Sequence, residues 1–309
     1  MAKAKNNNEL IINQVSLDRA VYNICNILRR DKAKGARLYV PELTWMLFLN
    51  ALDQKEALEE QRAGALGVAF CSSIEPPYRW RDWAVKPANG QLFSLGQAPG
   101  WKRRELVEQA IGSFLRFVNV VLFPYLRGLG EKPGATDRQR VIAMIFSNKE
   151  QTILESETNL LDALDRVDAL TRAEISDQHI FLVSQAFEGL LPRLGEKKND
   201  GGQFFTPREV IRAIVRAVNP KLGNTVYDPC CGTGGFLIEA YKHMTAQAPT
   251  GTQLDLLKTE TFWGREYANE AIPITPQILI FFMPAYSRLV KMASASLGSR
   301  PNLVSSVAI

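Results

Sequence analysis

The run Asp228-Pro229-Cys230-Cys231-Gly232-Thr233-Gly234-Gly235-Phe236 puts a carboxylate, two thiols and three glycines within nine residues. Glycines there let the backbone turn tightly and approach a ligand closely, while free N–H groups of a helix start can face it. A dinucleotide fingerprint needs G-x-G-x-x-G, and the sixth position here is Leu237. A carboxylate at the mouth of the turn would also repel a pyrophosphate. Asp228 suits instead the cationic amino group or the sulfonium side of S-adenosylmethionine. The competing reading is a tight strand-to-helix turn with no ligand, and two further features weigh against it.

Gly202-Gln203-Phe204-Phe205-Thr206-Pro207-Arg208 precedes the helix that feeds this turn. Taken alone it reads as a helix cap flanked by core phenylalanines, but a carboxylate ligand can use the same free N–H groups. Glu266 ends the strand after the glycine turn, where an acid can accept hydrogen bonds from ribose hydroxyls. It lies 38 residues after Asp228, against the usual spacing of about 20. The polar Thr245 to Lys258 segment accounts for the excess as a helix extension and loop.

These groups need particular elements to hold them. Thr206-Pro207-Arg208-Glu209 predicts a capping box with Pro at the first helical position, opening a helix through Val218. Its apolar face is Val210, Ile211, Ile214, Val215 and Val218, and Asn219-Pro220 ends it. Thr225 to Tyr227 reads as a short strand. Phe236 to Met244 reads as a helix with Phe236, Leu237, Ala240, Tyr241 and Met244 inward, and Thr261 to Glu266 as the next strand. Strand, glycine turn, helix and strand make a βαβ unit, the start of a parallel sheet.

Upstream the periodicity is helical from Ser16 to about Leu191. Ser16 is placed to cap a helix carrying Leu17, Val21, Ile24 and Leu28 on one face. Pro41 to Ala63 reads as a second helix with Pro in its first turn. Gly64 to Gly100 reads as irregular connection, with Trp80, Trp83 and Trp101 as packing anchors rather than base-stacking platforms. Glu105 to Phe123 is helical and expected to end at Pro124. Ile153, Leu154, Leu160, Leu161, Leu164, Val167 and Leu170 form a further stripe, and His179 to Leu191 another helix. Gly195 to Gly202 is a polar linker.

The 309 residues are ample for two domains, and 46% hydrophobic with 22% charged content excludes global disorder. The longest apolar runs are too short for a membrane helix, and Met1 to Leu10 has no signal-like core. The four cysteines lack C-x-x-C spacing, which speaks against a zinc site or a disulfide framework. A soluble, cytoplasmic protein is the expectation. The net charge of +5 permits a nucleic-acid partner without demanding one. Of the basic clusters, Lys102-Arg103-Arg104, Arg138-Gln139-Arg140 and Lys197-Lys198, each reads as a solvated face before a phosphate contact. From Ile272 to Ile309 there is no acid at all, and six Ser and four Pro interrupt any long element.

The motifs Gln203 to Arg208, Asp228 to Phe236 and Gly264-Arg265-Glu266 together resemble motifs X, I and II of the modification subunits of type I restriction–modification systems, N6-adenine DNA methyltransferases. Leu43 to Leu49, Tyr78 to Trp83 and Leu122 to Leu126 resemble that family's helical domain. The resemblance spans roughly Glu9 to Ala271. It implies a multi-domain α and α/β chain: an N-terminal helical domain over 9–172, then an incomplete Rossmann-like methyltransferase domain over 173–271. The tail, 272–309, receives no fold. Gln203, Phe204, Phe205, Thr206, Pro207, Arg208, Asp228, Gly232, Thr233, Gly234, Gly235 and Glu266 would line an S-adenosylmethionine site. DNA, a specificity subunit and a restriction subunit are the implied partners.

One family feature is missing. The Asn/Asp-Pro-Pro-aromatic motif that holds the flipped adenine should follow Glu266, and none does. The similar string Glu75-Pro76-Pro77-Tyr78 lies in the helical part, begins with a residue one methylene too long, and reads as a decoy. No catalytic residue is assigned, and the chain alone is expected to be inactive. The alternatives are a catalytically dead assembly or DNA-binding module, or a methyltransferase for RNA or protein.

Overall fold

The computed structural model describes residues 14–34, 36–86, 101–171, 206–229, 231, 234–247, 250–253, 257, 261–264 and 306–308. They divide into two compact units. The first comprises Met1–Phe123 and Gln151–Gln203, the second Pro124–Glu150 and Phe204–Ile309. The expected boundary near Arg172 lies outside the described residues, as do the helix expected at 179–191 and the linker at 195–202.

The first unit is helical. Helices α1 (Gln14–Arg30) and α2 (Ala36–Ala65) pack against each other and against α8 (Glu157–Thr171). Val21, Ile24 and Leu28 of α1 are buried, as the periodicity requires, together with Leu160, Leu164, Val167 and Leu170 of α8. Two helix starts differ from expectation. Helix α1 begins at Gln14, so Ser16 lies inside its first turn rather than capping it. Helix α2 begins at Ala36, so Pro41 sits inside it. That proline is exposed, on the side where water can take the carbonyl that its missing N–H leaves unpaired.

Short helices α3 (Trp80–Trp83), α4 (Trp101–Gln109) and α5 (Ser113–Arg116) complete the layer. Trp80 and Trp83 are packing anchors as expected, at 2% and 0% exposure. Trp83 stands 6.4 Å from Trp45, 5.5 Å from Trp80 and 6.0 Å from both Phe114 and Phe117. Each indole N–H of this cluster finds an acceptor: Trp45 donates to Glu42 at 2.8 Å, Trp80 to Asp168 at 3.2 Å, and Trp83 to the Tyr78 carbonyl at 3.1 Å. Buried Glu42 also accepts from the Thr152 hydroxyl at 2.7 Å and the Ile153 amide at 3.2 Å, which ties α2 to the segment before α8. A buried carboxylate is tolerated here because three donors converge on it.

The helix expected to stop at Pro124 continues. A π-helical turn over Phe117–Leu122 leads into α6 (Phe123–Gly128), in which Pro124 is the second residue. At the start of a renewed helix the missing N–H costs little.

Asp53 of α2 is enclosed by the Arg81 guanidinium at 2.9 Å and accepts the Arg81 amide at 3.2 Å. Burial outweighs that attraction and pushes its carboxyl up to about 6. The folded state therefore holds this proton where the unfolded chain has lost it, so stability falls as pH rises from about 4 to about 6. We expect a loss of up to about 3 kcal/mol over that window in urea melts. The Asp53→Asn variant should flatten this pH dependence; an unchanged slope would show that another group produces it.

The second unit holds α7 (Asp137–Phe146), opened by a full capping box between Thr136 and Gln139, and the α/β part. The latter runs α9 (Arg208–Val218), β1 (Thr225–Asp228), α10 (Gly235–Thr245), β2 (Phe262–Gly264) and β3 (Ser306–Ala308). The strands are parallel in the order β2-β1-β3. Val226 faces Phe262 on one side and Val307 on the other. This is the expected βαβ unit with one more strand, contributed by the tail to which the sequence reading assigns no fold.

Candidate functional site

Strand β1 is central, so its neighbours lie on opposite sides: β2 after the α10 crossover, β3 on the other flank. In an open parallel sheet, ligands bind beyond the carboxyl ends of the strands where the order reverses, and β1 stands at that point. Asp228 is the last residue of β1 and 6% exposed. After it the chain turns. The Cys231 carbonyl accepts the Gly234 amide at 2.6 Å, and Gly234 takes φ of 78°, a backbone region that side-chain-bearing residues rarely adopt. Gly235 then opens α10, whose first turn closes from Ile238 to the Gly234 carbonyl at 2.9 Å.

Leu237, Ala240 and Met244 of α10 are buried as expected, while Phe236 and Tyr241 are half-buried. Tyr241 meets Phe262 of β2 edge-on at 5.8 Å. The sequence thus folds locally as the apolar pattern dictates, and the packing of α10 on β1 and β2 fixes where the glycine turn can go.

Of the expected site residues, Asp228, Gly234 and Gly235 come together at this strand end. Thr206 and Pro207 are exposed before α9, and Arg208 is its first residue. Gln203, Phe204, Phe205, Gly232, Thr233 and Glu266 lie outside the described residues. Gly264, two residues before Glu266, stands opposite Asp228 in the strand register.

The capping box expected at Thr206 to Glu209 is not formed. Pro207 occupies the cap position and has no side-chain acceptor; its carbonyl takes the Val210 and Ile211 amides at 3.0 and 3.1 Å. Helix α9 therefore begins one residue later than expected. Its apolar arc is also only half covered. Ile211 and Val215 are buried, whereas Val210, Ile214 and Val218 are 36–46% exposed.

Two features escaped the sequence reading. Glu239, in the middle of the apolar run Leu237 to Ala240, is 7% exposed and paired with Arg212 of α9. An acid in an otherwise apolar helical stretch was the available signal. Arg103, read as part of a basic face, is 6% exposed and donates to the Ala84 carbonyl at 2.6 Å while pairing with Asp165. It is a clamp within the helical unit. Lys102 pairs with Glu105 at 3.3 Å and Arg140 with Asp137 at 3.1 Å, and Lys197-Lys198 lies outside the described residues. Among the described residues no group of His, Cys, Asp and Glu could hold a metal ion, and no helix is long and apolar enough to cross a membrane.

Residues 17–167 match the HsdM N-terminal domain family, and residues 177–281 match the N-6 DNA methylase family. The chain belongs to the modification subunits of type I restriction–modification systems. It is 29% identical over 232 residues to the EcoEI methylase subunit of Escherichia coli, covering 74% of this chain and 42% of that protein. Among solved structures it resembles a modification subunit of a type I restriction enzyme from Vibrio vulnificus YJ016, with TM-score 0.68 and 30% identity over 87% of this chain and 54% of that one. A chain from work on complex assembly and conformational transition of the type I system matches with TM-score 0.61 and 33% identity, again over 87% of this chain and 49% of that one. The chain thus spans about half the length of these relatives. Within this family the helical first unit and the parallel sheet of the second are the expected parts.

Proposed function

We propose that this chain carries the cofactor-holding part of an adenine-N6 DNA methyltransferase, with S-adenosylmethionine seated at the carboxyl end of β1. The observation that carries the reading is the buried Asp228 carboxylate at the strand-order reversal, six residues before a left-handed Gly234 and the helix start that follows it. Those residues fit the group: an acid for its cationic ammonium and sulfonium side, and a turn without side chains where the ligand passes. When bound, the cofactor supplies a methyl group activated by its positive sulfur. Gln203 to Pro207 lead into α9 and Arg208 opens it, where free N–H groups can receive the cofactor carboxylate. Gly232, Thr233, Gly234 and Gly235 would line the cofactor, and Glu266 would accept hydrogen bonds from its ribose hydroxyls.

The acceptor in this reading is an adenine flipped out of duplex DNA. DNA, a specificity subunit and a restriction subunit are the partners, in keeping with a similar chain whose type I system assembles as a complex. Sequence reading is delegated to the specificity subunit, and a phosphate contact from this chain would add only sequence-independent, salt-sensitive affinity. The cytoplasm, where that DNA lies, is the proposed location.

Calorimetry with S-adenosylmethionine tests the site. The Asp228→Ala variant should bind about tenfold to a hundredfold more weakly than the parent, the worth of one charge-assisted hydrogen bond. Glu266→Ala should weaken binding in the same direction. Parent-level affinity in both variants would remove these residues from the site.

A further inference from the structure

Helices α9 and α10 are each eleven residues long, and Arg212 and Glu239 are the fifth residue of each. The two side chains meet with Arg212 Nε 3.5 Å from Glu239 Oε2. Further along, Asn219 Oδ1 lies 2.9 Å from His243 Nε2, and the Gln247 side chain donates through Nε2 to the Pro220 carbonyl at 3.0 Å. Fifth residue to fifth residue, then end to end: this order makes the helices parallel, with both starts at one end. The Arg212–Glu239 pair sits one turn, about 6 Å, from each start.

Neither start is fixed by its own cap. Pro207 and Gly234 make no side-chain cap bond. The burial of Ile211 and Val215 is non-directional and tolerates axial sliding. The Asn219–His243 and Gln247–Pro220 bonds hold the far ends rather than the starts. An ion pair on a 7%-exposed carboxylate resists sliding, because moving Arg212 away leaves Lys242 alone to compensate a buried charge. Lys242 also approaches Glu239, at 3.3 Å, but from the same helix, so it steadies the charge without linking the two.

We propose that Arg212 and Glu239 form a positioning pair that sets the axial level of the two helix starts relative to each other, and with it the span across which S-adenosylmethionine is held. This deepens the cofactor-site reading above and rests on it. The pair touches no ligand and acts through the backbone of the first turns.

The decisive comparison uses the 309-residue chain and its Arg212→Met/Glu239→Leu double variant. Replacing a buried ion pair by apolar groups of similar size is often neutral for stability. The double variant should melt within a few degrees of the parent yet bind S-adenosylmethionine about tenfold more weakly, since small misplacements carry such losses. Arg212→Lys, which keeps the charge, should recover most of the affinity. Hydrogen exchange supplies a readout that needs no ligand. The Ile211 and Ile238 amides close the two first turns and should exchange about tenfold faster in the double variant, while the Val226 amide of β1 keeps its rate. Should the double variant fail to fold, Glu239→Gln carries the same comparisons.

Parent-like affinity with parent-like exchange at both amides would overturn the proposal. So would an affinity loss that merely follows a lowered melting temperature. If the parent itself does not bind S-adenosylmethionine, the functional reading fails, and the exchange at Ile211 and Ile238 alone decides whether the pair positions the helix starts.

Discussion

Mixed with a specificity subunit and duplex DNA bearing the cognate site, the 309-residue chain is expected to transfer no measurable tritiated methyl group. Adenine-N6 transfer rests on holding the adenine amino group beside the methyl donor, and misplacement of the reacting atoms costs about a hundredfold or more. No Asn/Asp-Pro-Pro-aromatic string follows Glu266 within these residues. The similar string at Glu75 to Tyr78 belongs to the first unit, whereas Asp228 and the glycine turn belong to the second. The control is a chimera in which residues from Glu266 onward are replaced by the corresponding part of the EcoEI relative. Turnover by the 309-residue chain comparable to that of the chimera would force Glu75-Pro76-Pro77-Tyr78, or an unrecognised site, back into consideration.

The second large effect is on stability. Trp83→Ala should destabilise the helical unit by about 3–5 kcal/mol, because it removes a wholly buried indole and leaves a cavity that its neighbours cannot fill. Trp45, Trp80, Phe114 and Phe117 all stand within 6.4 Å of it, centroid to centroid, and lose contact together. The Tyr78 carbonyl also loses its donor. Trp83→Phe should recover part of the loss by keeping ring contact. Urea unfolding followed by far-ultraviolet circular dichroism measures both; a loss below about 1 kcal/mol for Trp83→Ala would place the tryptophan outside the core.

The βαβ unit was legible because each of its parts writes a distinct signal. Glycines at 232, 234 and 235 mark a turn, the residues before them a strand, and the apolar spacing of Leu237, Ala240 and Met244 a helix. The helical unit was legible for the same reason, with Ile24, Leu28, Leu164 and Val167 at helical spacing. What failed were local rules overridden by context. Proline reads as a boundary, yet Pro41 and Pro124 both lie inside helices, one exposed and one where a π turn lets the helix start afresh. Thr206 and Glu209 have the types of a capping box, but Pro207 takes the cap position between them. The roles of Arg103, Arg212 and Glu239 depend on partners 62 and 27 residues away, which no local pattern encodes. Strand β3 is set by pairing with β1 rather than by any alternation of its own.

Ultraviolet crosslinking of methyl-tritiated S-adenosylmethionine to the 309-residue chain, followed by peptide mapping, tests most directly the claim that this chain holds the cofactor at the end of β1. The account predicts label on peptides from 203–208 and 225–245, suppressed by excess unlabelled S-adenosylhomocysteine and reduced in Asp228→Ala. Label that resists competition, or competed label confined to the helical unit, would contradict it.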